Sequence, residues 1–266
     1  MLVLLIVILV VLAFLLFLIA PTFRRHPDRA VLSGLRVAHR GLHDLSENTP
    51  ENSIAAFLEA VAHGYAIEND IHIIADGNVV VFHDYNLERM CGVDVDIEKC
   101  TLEELKKYTL KGSDEKIPTL KECLSSIDGR VPLLIEFKTQ SFKRYKALCE
   151  ATNEILKDYK GKYFVQSFFP PVLHWYRKNR RDILRGQLAT SGEKGMCKRL
   201  LGLLLFNFMS RPDFVSYDIR YLNNIMFKLV KLLGALPVGW TIKNEQQYKK
   251  AKKSFKTYIF EDFLAK

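Results

Sequence analysis

The residues able to do chemistry in this chain sit inside runs that ought to be buried. His39 and Arg40 follow the apolar stretch Leu35 to Ala38, and Glu68 and Asp70 interrupt the stretch Tyr65 to Ile74. His83 and Asp84 close a run that begins at Val79, and Glu136 with Lys138 repeats the pattern after Pro132. A charge in a buried strand is costly unless it is paired or bound to a metal, so several together mark a site. Residues two apart in a strand share a face. Glu68 and Asp70 therefore point one way, and so do Glu136 and Lys138. Three carboxylates gathered at one place repel one another unless a hard divalent cation joins them, and all-oxygen ligation suits Mg²⁺ or Ca²⁺ better than Zn²⁺. An ion-pair network with Lys138 or Arg40 would account for any one of these carboxylates, but less well for the set.

The remaining groups suit acid–base and phosphate chemistry. An imidazole titrates near ~6.5, so His39 and His83 can take and give a proton near neutrality. Arg40 presents a planar fork that matches phosphate oxygens, and Lys138 supplies a point charge. Together with a metal, these groups fit displacement at phosphorus, where developing charge on oxygen must be stabilised. Glu51 and Asn52 open a helix behind Thr49 and Pro50, which explains them as a helix start. The loop before them leaves the His39-Arg40-Gly41 turn, so a place beside His39 is the second account. His72 shares the face of Glu68 and Asp70 but lies further along, which favours a place beyond the site over the rival reading of a fourth ligand. His43, His63 and His174 have no such context.

Positioning these residues requires strands whose ends meet on one rim. Strand and helix signals alternate from Leu35 to Phe260, with an Asp76-Gly77 hairpin signal and a capping box at Thr101 and Glu104. This βα alternation predicts an α/β fold with a parallel sheet, most economically a TIM-type (β/α)8 barrel with its site at the C-terminal strand ends. A doubly wound sheet is the alternative, but no dinucleotide-type glycine fingerprint follows a strand. The apolar run Leu200 to Met209 is too short to span a bilayer and reads as a buried helix of the outer layer. Lys194, Lys198 and Arg199 just before it allow a contact with a membrane surface as the rival reading.

Residues 2–20 carry no charged or polar side chain, and Pro21 ends the run. At about 1.5 Å per residue this just spans a ~30 Å hydrocarbon core. It lacks the basic start and small-residue cleavage pattern of a signal peptide, so residues 1–21 are expected to be an uncleaved anchor. Arg24, Arg25, Arg29 and Arg36 follow it, which by the positive-inside rule puts the rest in the cytoplasm as a single-pass membrane protein. Residues 22–34 read as a linker and 35–266 as the barrel. The 266-residue chain carries 39 Lys+Arg against 30 Asp+Glu, a net charge of +9. That sign favours anionic partners, but no basic run interleaved with aromatics suggests a nucleic-acid groove. Five cysteines with irregular spacing fit scattered thiols in a reducing compartment.

The ordered series HRG at His39, PENS at Pro50, Glu68-x-Asp70, FHDYNLER at Phe82, EFK at Glu136, QSF at Gln166 and GWTIK at Gly239 resembles the glycerophosphodiester phosphodiesterase family. The resemblance implies a TIM barrel with a small insertion, here about 85–124, and a Mg²⁺ or Ca²⁺ ion held by Glu68, Asp70 and Glu136. It implies His39 and His83 as the acid–base pair and Arg40 and Lys138 as phosphate contacts. Glu51, Asn52 and Trp240 stand as neighbours of the site or pocket residues. The implied reaction is hydrolysis of a glycerophosphodiester to glycerol 3-phosphate and an alcohol, by attack of the glycerol hydroxyl and then of water. Ser53 stands where the family usually has Thr, and Asn69 replaces an apolar residue facing away from the site. Phe260 to Phe263 departs from the usual TD-x-P. The competing functions are a related barrel phosphodiesterase of the lysophospholipase D or phospholipase C type, and a membrane-anchored binding protein that has lost catalysis.

Overall fold

Eight parallel strands close into a barrel. In this computed structural model, which describes residues 1–44, 48–139, 141–192 and 195–265 and omits the side chains of Cys197 and Lys198, the strands are β1 (Arg36–Ala38), β2 (Ala66–Ile73), β3 (Val79–Val81), β4 (Leu133–Phe137), β5 (Tyr163–Ser167), β6 (Arg185–Ala189), β7 (Phe214–Asp218), β8 (Leu236–Ile242) and β9 (Thr257–Phe260). The order is β1-β9-β8-β7-β6-β5-β4-β2, and parallel pairing of β1 with β2 closes the ring. Only β3 lies outside it, antiparallel to β2. Helices between strands cover the outside, as expected of a TIM-type barrel.

The two-residue period of the strands sorts the barrel interior into layers. Val37, Ala66, Leu134, Phe164, Phe214, Val238 and Ile259 form one buried apolar cluster with Leu32 and Leu184. Two residues further along the same faces come His39, Glu68, Glu136, Gln166, Ser216, Trp240 and Glu261. An apolar plug thus lies directly beneath a polar rim. Gly186 makes room for it, because a Cβ there would fall 1.9 Å from the Phe214 ring.

Beyond the barrel, three segments matter. Residues between β3 and Pro118 build a satellite core of Leu87, Met90, Ile97, Leu105, Leu110 and Ile117 with Ile74, Val80 and Phe82. The Leu120–Ile127 helix that follows buries Leu120, Cys123, Leu124 and Ile127 in the main core. The expected helix at Leu200 to Met209 is instead two, Met196–Gly202 and Asn207–Ser210. Leu204, buried in the core, adopts φ 59° between them, a left-handed backbone that no α-helix continues through. Lys194, read as part of the basic flank, lies outside the described residues.

The N-terminal Leu2–Ile19 helix is long and apolar enough to cross a membrane, and 6% of its span is buried. Only its last turn packs. Asn207 Nδ2 donates to the Ile19 carbonyl, and Arg211 Nη1 donates to those of Phe17 and Ala20. Residues 22–34, expected as a linker, are fixed to the barrel: Thr22 N donates to Pro212 O, Arg29 donates to the Asp213 and Gly234 carbonyls, and the Leu32 carbonyl accepts from Thr257 Oγ1. Cys91, Cys100, Cys123 and Cys149 are free thiols.

Candidate active site

At the rim, Glu68, Asp70 and Glu136 come together because β2 pairs with β4 in a register that sets Asp70 opposite Glu136. One carboxylate oxygen from each lies within 4.8 Å of the others, and all three residues are buried. Asp70 Oδ1 accepts no hydrogen bond, although Lys138 Nζ stands 3.2 Å away. Oxygen ligands of Mg²⁺ or Ca²⁺ lie about 2.0–2.6 Å from the ion, so this spacing fits a single cation. Burial, then repulsion from Asp70 and Glu136, pushes the Glu68 carboxyl well above the usual range. A positive ion among the three would remove that repulsion. Burial alone would raise Asp70 as well, but the charges of Lys138, His83, Arg40 and His39 outweigh it and hold Asp70 far below normal. Lys138 in turn is held in its charged form by Asp70 and Glu136 against the effect of burial, and its Nζ lies 2.7 Å from Glu136 Oε1.

The tight turn after β1 sets the next two residues. Arg40 adopts φ 55° and Gly41 φ 84°. A Cβ on Gly41 would lie 2.9 Å from the Ala56 backbone, so this loop needs glycine to lie against the Ile54–Ala62 helix. The turn aims the Arg40 amide at Glu68 Oε2, 3.1 Å away, while its guanidinium bonds Glu51 at 2.8 Å and approaches Asp70 at 3.5 Å. Asn52 Nδ2 donates to Asp70 Oδ2 at 2.9 Å. The helix cap is Ser53, whose side chain accepts from Ala56 N. This leaves Glu51 and Asn52, expected to open the helix, free to contact Arg40 and Asp70.

His83 reaches the rim on the return strand that the Asp76-Gly77 hairpin signal predicts. It follows β3, which is not a barrel strand but folds back along β2 from the Asp76-Gly77 turn. Phe82 N donates to the Asp70 carbonyl, which sets His83 beside the carboxylates. Each imidazole is oriented by a carboxylate at Nδ1: His83 by Asp84 at 2.6 Å, and His39 by Glu261. Lys243 also pairs with Glu261. Burial, followed by the Arg40 charge, lowers the His39 pKa, and Glu261 partly offsets both. Burial would raise Asp84 and Glu261, yet their bonds to the imidazoles and to Arg89 or Lys243 keep both ionised far below the usual range.

A second tier braces this set. Arg89 donates from Nε to Asp84 and from Nη1 and Nη2 to Glu51. Gln166 Nε2 lies 3.5 Å from Glu68 Oε1 and its Oε1 accepts from Ser216 Oγ, while Trp240 Nε1 donates to the Ser216 carbonyl. Trp240 is half-buried and meets Phe168 edge-on at 5.7 Å. All ten residues singled out from the sequence thus lie on or beside one rim. His72 is fully buried, near Glu98 and outside the triad. Asp84 carries no assigned role in the sequence reading, and Glu261, Arg89 and Gln166 are not among the residues it picks out. Asp84 and Arg89 lie within the FHDYNLER motif and Gln166 within QSF, so their signal was present. Glu261 is 222 residues from His39 and had none.

A metal-capable carboxylate triad, two oriented histidines and two partly buried cations on the C-terminal rim of a (β/α)8 barrel define a phosphoryl-transfer type of site. The glycerophosphoryl diester phosphodiesterase family matches residues 39–266, and the chain belongs to that family. A glycerophosphodiester phosphodiesterase of Caldanaerobacter subterraneus is 35% identical over 47% of this chain and 53% of its own length. Lysophospholipase D GDPD1 of Rattus norvegicus is 34% identical over 48% of this chain and 42% of its own length, so the matches span about half of either relative. An Oleispira antarctica phosphodiesterase, solved in complex with sn-glycerol-3-phosphate, has the same fold, with a TM-score of 0.72 and 23% identity over 88% of this chain and 94% of its own. The family generally depends on a divalent metal, and the buried acidic triad is a set that could hold one.

Proposed function

We propose that the protein hydrolyses glycerophosphodiesters to glycerol 3-phosphate and a free alcohol. The observation that carries this reading is the meeting of Glu68, Asp70 and Glu136 with two carboxylate-oriented histidines on one rim. Glu68, Asp70 and Glu136 would hold the metal, and their oxygen-only donor set favours Mg²⁺ or Ca²⁺. When bound, such a cation supplies positive charge to the phosphoryl oxygens. Arg40 and Lys138 hold the same group by charge-assisted hydrogen bonds.

His39 and His83 move the protons. One imidazole takes the proton of the substrate's glycerol hydroxyl as its oxygen bonds phosphorus, and the other gives a proton to the departing alcohol oxygen. The roles reverse when water opens the resulting cyclic diester, so the proton count returns to its start. A cavity of about 460 Å³ lined by Glu51, Arg89, Lys111 and Gly112 lies between the Glu51 loop and the satellite core, and is the proposed place for the leaving alcohol.

The protein should be incubated with glycerophosphocholine, glycerophosphoethanolamine and lysophosphatidylglycerol under Mg²⁺, Ca²⁺ or EDTA, and the products identified. Metal-dependent release of glycerol 3-phosphate is expected. His39→Ala and His83→Ala should each lower kcat by about 10²–10⁴-fold without change in the circular dichroism spectrum. Near wild-type turnover in either variant would overturn the acid–base roles.

The rat relative's name favours a second reading, in which the diester still carries an acyl chain. Lysophosphatidic acid as the product from a lysophospholipid would support it. The proposed division is an anchor at 1–21, a connecting segment at 22–34 and the barrel at 35–266, with an insertion near 85–124. The Leu2–Ile19 helix would cross the membrane once, with the barrel on the cytoplasmic side because Arg24, Arg25, Arg29 and Arg36 follow it. A C-terminal tag digested by protease outside intact cells would refute that orientation.

A further inference from the structure

At the other end of the barrel, a cavity of about 360 Å³ is lined by five arginines: Arg24, Arg177, Arg181, Arg185 and Arg211. They come from distant parts of the chain, and most are held by neutral partners. Arg177 Nη1 donates to the carbonyls of Phe208 and Met209, and Arg185 donates from Nε to Ser210 O and from Nη2 to Arg211 O. Arg211 Nη1 donates to the carbonyls of Phe17 and Ala20, with its guanidinium 4.7 Å over the Phe17 ring. A carbonyl fixes a guanidinium in place without cancelling its charge. Each guanidinium carries five N–H donors, so these bonds leave several to spare.

Only one carboxylate pairs with this group among the described residues. Asp213 lies 3.4 Å from Arg185 Nη1 and 3.8 Å from Arg24 Nη2. Arg185 is buried, and its Nη1 makes no hydrogen bond. Burial, and repulsion from Arg24, Arg177 and Arg181, outweigh Asp213 and bring the Arg185 pKa down to about 10. Burial and Arg177 also lower that of Arg211. The cluster is short of negative charge where water cannot fully screen it.

The place of the cavity narrows the choice of anion. Arg211 both lines it and holds the last carbonyls of the apolar helix, and Thr22 N bonds Pro212 O just beyond. The cavity therefore begins where the apolar helix stops, the level at which a bilayer carries its headgroups. Guanidinium forks match phosphate oxygens.

We infer that this cavity binds the phosphate of an anionic phospholipid lying beside the Leu2–Ile19 helix. The inference rests on the membrane reading of that helix and not on the catalytic proposal. It is separate from the catalytic rim, because Arg185 opens β6 and Pro212 precedes β7, at the ends where the strands begin.

The full chain would be reconstituted in nanodiscs of phosphatidylcholine with phosphatidylglycerol, transferred to detergent and examined by native mass spectrometry for retained lipid. The exposed positions would be altered together as Arg24→Gln and Arg181→Gln, and Arg177→Gln would be compared with Arg177→Lys. Wild-type protein should retain one phosphatidylglycerol in preference to phosphatidylcholine. The double variant and Arg177→Gln should retain at least tenfold less, with Arg177→Lys intermediate. The far-ultraviolet circular dichroism spectrum in detergent should stay unchanged in each, which shows that the variants fold. A lipid bound at the rim would survive these substitutions, so equal retention in all proteins would overturn the inference. Protection against thermal unfolding by inorganic phosphate, lost in the double variant but without lipid retention in the wild type, would assign the cavity to a soluble phosphate and overturn the lipid assignment.

Discussion

The two imidazoles depend on carboxylates of different origin. Asp84 follows His83 directly in the chain, whereas Glu261 reaches His39 only because β9 lies beside β1 in the closed ring. The negative charge of Glu261 favours the imidazolium, so it raises a His39 pKa that burial and Arg40 have lowered. In Glu261→Gln that support is lost, and the His39 pKa should fall further. If His39 is the base in the free enzyme, its neutral form persists to lower pH. The acidic limb of kcat/KM should therefore move down the pH scale while the maximal rate drops. A limb that moves up would mean that Glu261 does not act through the His39 charge. Adjacent pairs such as His83-Asp84 can be read from sequence because the chain itself supplies the proximity. Glu261 could not be, since its role depends on ring closure and on a stretch where this chain departs from the usual family pattern.

At the scale of the element, the strand period carried most of what was legible. Alternation along β2 and β4 placed Glu68, Asp70, Glu136 and Lys138 on one face, and β1 to β4 lie where their apolar runs suggested. The Asp76-Gly77 turn signal gives the direction of β3, so His83 arrives on a return strand. One feature escaped this reading. The break at Leu204 puts a left-handed backbone at a residue with no turn propensity, and the apolar pattern runs through it undisturbed. The same alternation puts Asn69 on the opposite face of β2, fully buried, with no hydrogen-bond partner for its Nδ2 or Oδ1. Leaving buried polar atoms unpaired costs about 1–3 kcal/mol. Asn69→Val should therefore stabilise the fold, raising Tm by about 2–4 °C for each kcal/mol recovered, without loss of activity. A lower Tm would show that the amide finds a partner in solution.

For the whole molecule, metal binding and folding are linked. Glu68, Asp70 and Glu136 come from strands that converge only in the closed barrel, so a cation that binds this set binds the folded state. At a hundredfold excess over its Kd such a ligand adds about 2.7 kcal/mol of stability. Mg²⁺ or Ca²⁺ should accordingly raise Tm by several degrees, EDTA should reverse the gain, and Glu136→Gln should abolish it. A Tm indifferent to the ion in the wild type would count against the triad as its ligands.

The pinning of residues 20–34 to the starting ends of the strands has a further result for supply. A chain held in a bilayer by Leu2–Ile19 is gripped at its base by Arg211 and Thr22, while its reactive groups stand at the far ends of the strands. Diesters would then be collected from three-dimensional solution and not by sliding in the two-dimensional sheet that holds the protein. Glycerophosphocholine should be consumed at the same rate whether the protein sits in vesicles or in detergent. An acylated substrate dissolved in the same vesicle should react only as fast as it escapes into water.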